Sequence, residues 1–122
     1  VKYGNAYAKY LASDGVTAAT QTLATTSKVP SGAIITSTTV IARGAVASGG
    51  NATISIIAGG VTTTSAIAKA KLDTANFVVR EDVVEDAAAV SDGTAIKVAV
   101  GTDALTGGTA DLDIIVEYIL VD

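Results

Sequence analysis

The stretch from Asp111 to Asp122 restricts the fold more than any other part of the chain. Leu112, Ile114, Val116, Tyr118 and Leu120 occupy alternate positions, with Asp111, Asp113 and Glu117 between them. Successive side chains of an extended strand point to opposite faces, so this period of two sends an apolar face inward and a mostly charged face outward. The stretch is a half-buried β-strand, and the rest of the chain has to pair with it or cover it. Upstream, Ile96, Val98 and Val100 alternate with Ala95, Lys97 and Ala99, and the segment from Thr102 to Ala110 is rich in turn formers. The two runs together read as a closing hairpin.

Earlier segments repeat this grammar. Ala52, Ile54, Ile56 and Ala58 alternate with polar residues to give a second amphipathic strand, and Gly49-Gly50, Gly59-Gly60 and Gly107-Gly108 mark turns. Val61 to Ser65 reads as a short strand, and the Thr- and Ala-rich segment from Val16 to Ser27 suits a sheet edge. Lys28-Val29-Pro30-Ser31-Gly32 is a break, because Pro30 fixes φ and Gly32 can adopt a turn conformation closed to other residues. In Ala33 to Arg43, apolar residues fall on both parities (Ile34, Ile35, Val40, Ile41). Either both faces are covered at the strand's ends or a bulge shifts the register between them. Only Ala66 to Val90 lacks a clear period. There Val83-Val84 and Ala87-Ala88 recur four residues apart, which reads as a loop with one short helix. The expected fold is all-β, an antiparallel β-sandwich of which the jelly roll is one form, with at most one short helix. No repeat or linker divides the chain, so residues 1–122 read as one domain.

Composition limits both core and chemistry. A chain of 122 residues buries about two-thirds of its unfolded surface. With one Phe, no Trp and no Met, however, the filling comes from small side chains that gain little against the same backbone entropy. Stabilisation by self-association or by a partner surface is expected. Without cysteine or histidine there is no thiolate nucleophile, no imidazole base and no zinc site of the usual kind, and no cofactor is implied. A net charge of −4 argues against nucleic acid. Apolar runs such as Ile54 to Ala58 are far shorter than the roughly 20 residues that span a bilayer, and no basic segment leads into an apolar one at the start. A soluble chain without a signal segment, and no membrane partner, is the expectation.

The one concentration of titratable groups is Glu81, Asp82, Glu85 and Asp86. Paired carboxylates can work on a sugar, and several oxygens can hold calcium, but the Asp-x-Asp-x-Asp-Gly spacing of a calcium loop is missing. The cluster reads as a solvated face. Serine and threonine hydroxyls lack a histidine partner, and no enzyme is expected.

Three of the four tyrosines, Tyr3, Tyr7 and Tyr10, lie in residues 1–13. With Leu11 they match a helical face, yet Gly4 and Asn5 weaken a helix. The segment therefore reads as an extended N-terminal arm that becomes a first strand near Ala8 to Ala12. Its rings either close one end of the core or anchor on a partner, which makes Tyr3, Tyr7 and Tyr10 candidate docking residues.

Three further segments carry a resemblance. Lys28-Val29-Pro30-Ser31-Gly32-Ala33-Ile34-Ile35 resembles a "Pro-x-Gly-Ala-x-Ile" strand opening of small virion proteins of tailed bacteriophages. Gly49-Gly50-Asn51-Ala52-Thr53-Ile54-Ser55-Ile56 is similar to their "Gly-Gly-x-Ala-Thr-x-x-Ile" strand, and Gly101 to Tyr118 to their closing "Gly-x-x-Leu-Thr-x-Gly … Val-x-Tyr" segment. The likeness runs from Lys28 to Val121. It implies a β-sandwich without a catalytic site, a capsid decoration (cement) protein on the exterior of the virion. The implied partner is the major capsid protein of a tailed phage, and a homo-oligomer is expected. A tail, fibre or adhesin module that binds a receptor or glycan is the alternative, disfavoured by the lack of Trp to stack on sugars.

Overall fold

A computed structural model describes residues 2–10, 20–22, 24–25, 28–43, 46–48, 52–58, 61–68, 71, 76–82, 96–101, 105–108 and 111–120. It is an all-β sandwich in which every described strand pairing is antiparallel. In chain order the strands are β1 (Lys2–Tyr10), β2 (Thr20–Thr22), β3 (Ala24–Thr25), β4 (Ile34–Ala42), β5 (Val46–Ser48) and β6 (Thr53–Ala58). They continue with β7 (Val61–Thr62), β8 (Ile67–Ala68), β9 (Val78–Asp82), β10 (Lys97–Gly101), β11 (Leu105–Gly108) and β12 (Leu112–Leu120). One sheet has the order β3-β1-β12-β4-β9; the other has β2-β10-β6-β7, with β8 also on β6; β11 and β5 form a separate pair.

The final strand is the centre of its sheet, as its uninterrupted period demands. Each of its nine residues has a partner in β1, and β4 pairs along its other edge. The expected hairpin between β10 and β12 does not form, because the two strands lie in different sheets. The intervening residues are too many for a tight turn, and Leu105–Gly108 are used as β11 against β5. The consequence is a ribbon. Ala42 lies opposite Leu112, Val46 opposite Gly108, Ser48 opposite Leu105 and Thr53 opposite Gly101, so β4, β5 and β6 run antiparallel to β12, β11 and β10 in turn. A slip between Leu105 and Gly107 is undone before Gly101. The ribbon starts in one sheet, turns the corner as β5 and β11, and finishes in the other.

The two parities of β4 have the second of the two explanations anticipated. The register shifts opposite Glu117 and Tyr118, leaving Thr36 as the extra residue, so Ile35 and Val40 both face the core. Before it, Ala33 donates its N–H to the Pro30 carbonyl at 3.1 Å and Gly32 has φ of 85°. A turn that places its third residue at positive φ needs glycine there. The Val16 to Ser27 segment contributes an edge strand to each sheet, β3 to one and β2 to the other.

Between the sheets, Tyr10, Ile35, Ile54, Ile56, Ile96, Leu112 and Ile114 are the largest fully buried side chains, interspersed with Ala6, Ala8, Ala42 and Ala58. Among the described residues a polar bridge crosses this core. Thr38 on β4 donates its hydroxyl to Thr63 beyond β7 at 2.8 Å, and Thr63 in turn donates to the Ile56 carbonyl at 3.3 Å. A buried hydroxyl without such a partner would cost roughly 1–3 kcal/mol, so this chain fixes how the sheets sit on each other.

Two expectations change. For Ala66 to Val90 the sequence predicts a loop with one short helix. The stretch instead supplies β8 and β9, and Glu81 and Asp82 are on a strand, because Phe77-Val78-Val79 find a pairing edge on β4. Val83 to Ala89, most of the run on which the short helix is expected, lie outside the described residues, as do the Gly49-Gly50 and Gly59-Gly60 turns. Residues 2–10 are no free arm: strand geometry starts at Lys2, since β12 offers a full-length edge on which each added residue gains a partner.

Candidate interaction surface

The outward face of the larger strands of the β12 sheet collects the side chains that are neither core nor simple solvent-facing polar groups. Register fixes who stands beside whom, because paired residues of an antiparallel ladder share a face. Four rows follow. Tyr3, Ile119 and Ile34 form the first; Asn5, Glu117, Ser37 and Asp82 the second; Tyr7, Ile115, Thr39 and Arg80 the third; Lys9, Asp113, Ile41 and Val78 the fourth.

The three candidate docking tyrosines are separated by this arrangement. Tyr3 and Tyr7 differ by four and share the outward face, whereas Tyr10 has the opposite parity and is fully buried. Tyr10 is therefore a core residue, as strand alternation requires of a position three from Tyr7. Tyr3 is 83% exposed. Tyr7 is half-buried and donates its hydroxyl to Asp113 Oδ1 at 2.7 Å.

Asp113 departs from its expected place on a wet, charged face. It is 7% exposed, held between the Tyr7 hydroxyl and the Nε of Arg43. Next to it, Lys9 Nζ stands 3.9 Å from Asp111 Oδ2, and the Arg43 N–H donates to the Asp111 carbonyl at 3.0 Å. These contacts lie where the ribbon leaves the sheet for β5 and β11. Burial alone would push the Asp113 carboxyl up. The hydrogen bonds from Tyr7 and Arg43, with the positive charges of Arg43 and Lys9, outweigh it and hold the group below the usual carboxylate range. The same hydrogen bond, followed by burial and the Asp113 charge, raises the Tyr7 phenol above its ordinary value. No local sequence signal announces this knot, since Tyr7, Arg43 and Asp113 are far apart in the chain.

The acidic cluster is divided. Glu81 accepts the Ser65 hydroxyl at 2.7 Å, and Asp82 accepts Arg80 Nη1 at 2.9 Å. Glu85 and Asp86 lie outside the described residues. Among the described residues no three Asp, Glu, His or Cys side chains come together as a metal site would require, and no helix is long and apolar enough to cross a membrane. Ser65, Ile67, Lys71, Val79 and Glu81 line a groove of about 200 Å³ where β8 and β9 meet. Its serine donates its hydroxyl to Glu81.

What sequence reading missed on this face is the apolar content of its outward parity. Ile115 and Ile119 alternate with Asp113 and Glu117 on the side taken as charged, and Ile34 precedes Ile35. Scoring both parities of the last strand would have exposed the row that Tyr3 completes.

Three solved structures with a similar fold are chains of phage capsids. A chain of the capsid asymmetric unit of cyanophage Pam1 superposes with a TM-score of 0.66 over 98% of this chain and 86% of its own length, at 19% identity. A chain of the capsid of Ralstonia phage GP4 gives 0.68 over 99% and 86%, at 14% identity. A chain of the acidic stable capsid structure of Helicobacter pylori bacteriophage KHP30 gives 0.55 over 98% and 89%, at 13% identity. No protein-family model matches the sequence, and no curated protein matches it. The likeness is one of fold, extending over nearly the whole of this chain.

Proposed function

We propose that the chain is a non-enzymatic virion structural protein that binds the outside of an assembled phage capsid and stabilises it. Its partner is the major capsid protein of a tailed phage. The observation that carries the reading is the near-complete superposition on chains of three phage capsids. The short motifs from Lys28 to Tyr118 resemble decoration proteins and point the same way. The described residues add hydroxyls committed to structural hydrogen bonds, with the exposed Tyr3 on a sheet face as a contact point. Any self-association that a small-residue core favours reinforces the attached layer.

A protein that binds only the assembled shell stabilises it by mass action. Shells prepared with and without this protein are to be compared for resistance to heat and to low salt. Bound protein and a raised disruption temperature are expected. Shells that neither bind it nor change their disruption temperature would refute the reading, in favour of a tail, fibre or adhesin module.

A further inference from the structure

Resting on that reading, we propose that the row Tyr3, Ile119 and Ile34, with its acidic neighbour row, is the attachment surface, and that its occupant is a different protein presenting an apolar socket rimmed by Lys or Arg. The row spans three adjacent strands, β1, β12 and β4, and is rigidly based because each residue is in register with the next. Tyr3 stands 83% exposed at its end beside two half-buried isoleucines. A rigid aromatic ring flanked by aliphatic side chains, with little conformational freedom left to lose, is the composition of an interface anchor.

Charge selects the occupant. The next row carries Glu117 and Asp82, and from the third row Arg80 reaches both, at 3.9 Å from Glu117 and 2.9 Å from Asp82. One cation between two carboxylates leaves a negative surplus beside the apolar row. The remaining described charges of this face do not offset it: Lys9 with Asp111, and Arg43 with Asp113, are paired at the far end. Lys2 leaves β1 on the opposite side by strand alternation. A two-fold contact between copies would press like patches together. The negative surplus of one patch would then face that of the other, in a chain already at −4. A basic rim on another protein has no such cost and speeds the encounter.

The test uses the full chain and shells lacking it, with binding measured by co-sedimentation over a range of salt. Tyr3→Ala is expected to weaken binding by about tenfold or more and Asp82→Lys by severalfold, while Tyr7→Phe binds as wild type. Rising salt should weaken the wild type more than Asp82→Lys. Melting curves confirm that each variant is folded. If the wild type binds and Tyr3→Ala binds equally, this surface is wrong although the capsid reading stands; if the wild type fails to bind, the capsid reading itself falls. A dimer seen by ultracentrifugation that Tyr3→Ala dissolves would show that a second copy occupies the row, and would overturn the proposal.

Discussion

At one end of the outward face of the β12 sheet the carboxylate of Asp113 is 7% exposed; at the other end the ring of Tyr3 is 83% exposed. Both side chains leave neighbouring strands on the same side, and hydrophobicity alone would exchange their environments. The difference comes from what stands beside each. Asp113 has a phenol and a guanidinium within hydrogen-bond reach, so its burial is compensated, whereas Tyr3 ends a row in which no described residue of β9 stands in register beside Ile34. A charge is buried here because long-range partners were brought to it, and an aromatic ring is exposed because none was.

The harshest way to test the distinction is to put a carboxylate one position away. Ile114 adjoins Asp113 in sequence but faces the core, fully buried. Ile114→Asp places an acid where no Tyr7 or Arg43 can reach it, and should cost several kcal/mol, enough to unfold a small domain. A cooperative melt near the wild-type temperature would show that the strand can shift register.

Removing the Asp113 carboxylate itself is the next largest change. Position alone makes Asp113 an outward residue whose exchange for serine should be mild, but its hydrogen bonds contradict that. Asp113→Ala leaves Arg43 and the Tyr7 hydroxyl without their acceptor, a loss of roughly 1.5–3 kcal/mol for hydrogen bonds to a charged group. Urea unfolding should show it; a change below about 0.5 kcal/mol, the size usual for surface positions, would return Asp113 to the wet face.

Acidity sharpens the same comparison on a smaller scale. The Asp113 pKa is lowered in the folded state, so its contribution is fully present above the unfolded value near 3.8 and is lost as pH falls through the lower folded value. The Tyr7 pKa is raised, so its contribution holds below 10.0 and is lost as pH climbs past the folded value. Wild type should therefore lose stability relative to Asp113→Asn below about pH 4 and gain no such difference between pH 5 and 9. Parallel stability curves for the two proteins at low pH would remove the knot as an electrostatic element.

How much of this was legible depended on the range of the cause. The period of Leu112 to Leu120 is local, and it was enough to mark the strand that became the sheet's centre. Pro30 to Gly32 and the mixed parity of β4 were also local, and turn and bulge followed. The partner of β10 was not legible, since nothing within Lys97 to Gly101 distinguishes pairing with β12 from pairing with β6. The extended reading of the tyrosine segment was legible from Gly4 and Asn5, but not that its strand starts at Lys2, which the nine-residue edge of β12 decides. The knot of Tyr7, Arg43 and Asp113 exists only once β1, β4 and β12 are side by side, so no window of sequence contains it.

The smallest expected effect is on the open end. Tyr3 is 83% exposed and buries little apolar area, so Tyr3→Ala should shift the unfolding free energy by no more than about 0.5 kcal/mol. Some loss is expected from strand propensity, because a tyrosine in register with Ile119 covers part of that isoleucine. Against the roughly 1.5–3 kcal/mol set for Asp113→Ala, this separates the two ends by mechanism. A residue that matters to the fold through partners loses them on truncation, and one that awaits a partner has nothing yet to lose. Chemical denaturation of the two variants in one buffer makes the measurement. If Tyr3→Ala proved as damaging as Asp113→Ala, the tyrosine would be part of the folded core's support, and its exposure could no longer be read as a surface held ready for another protein.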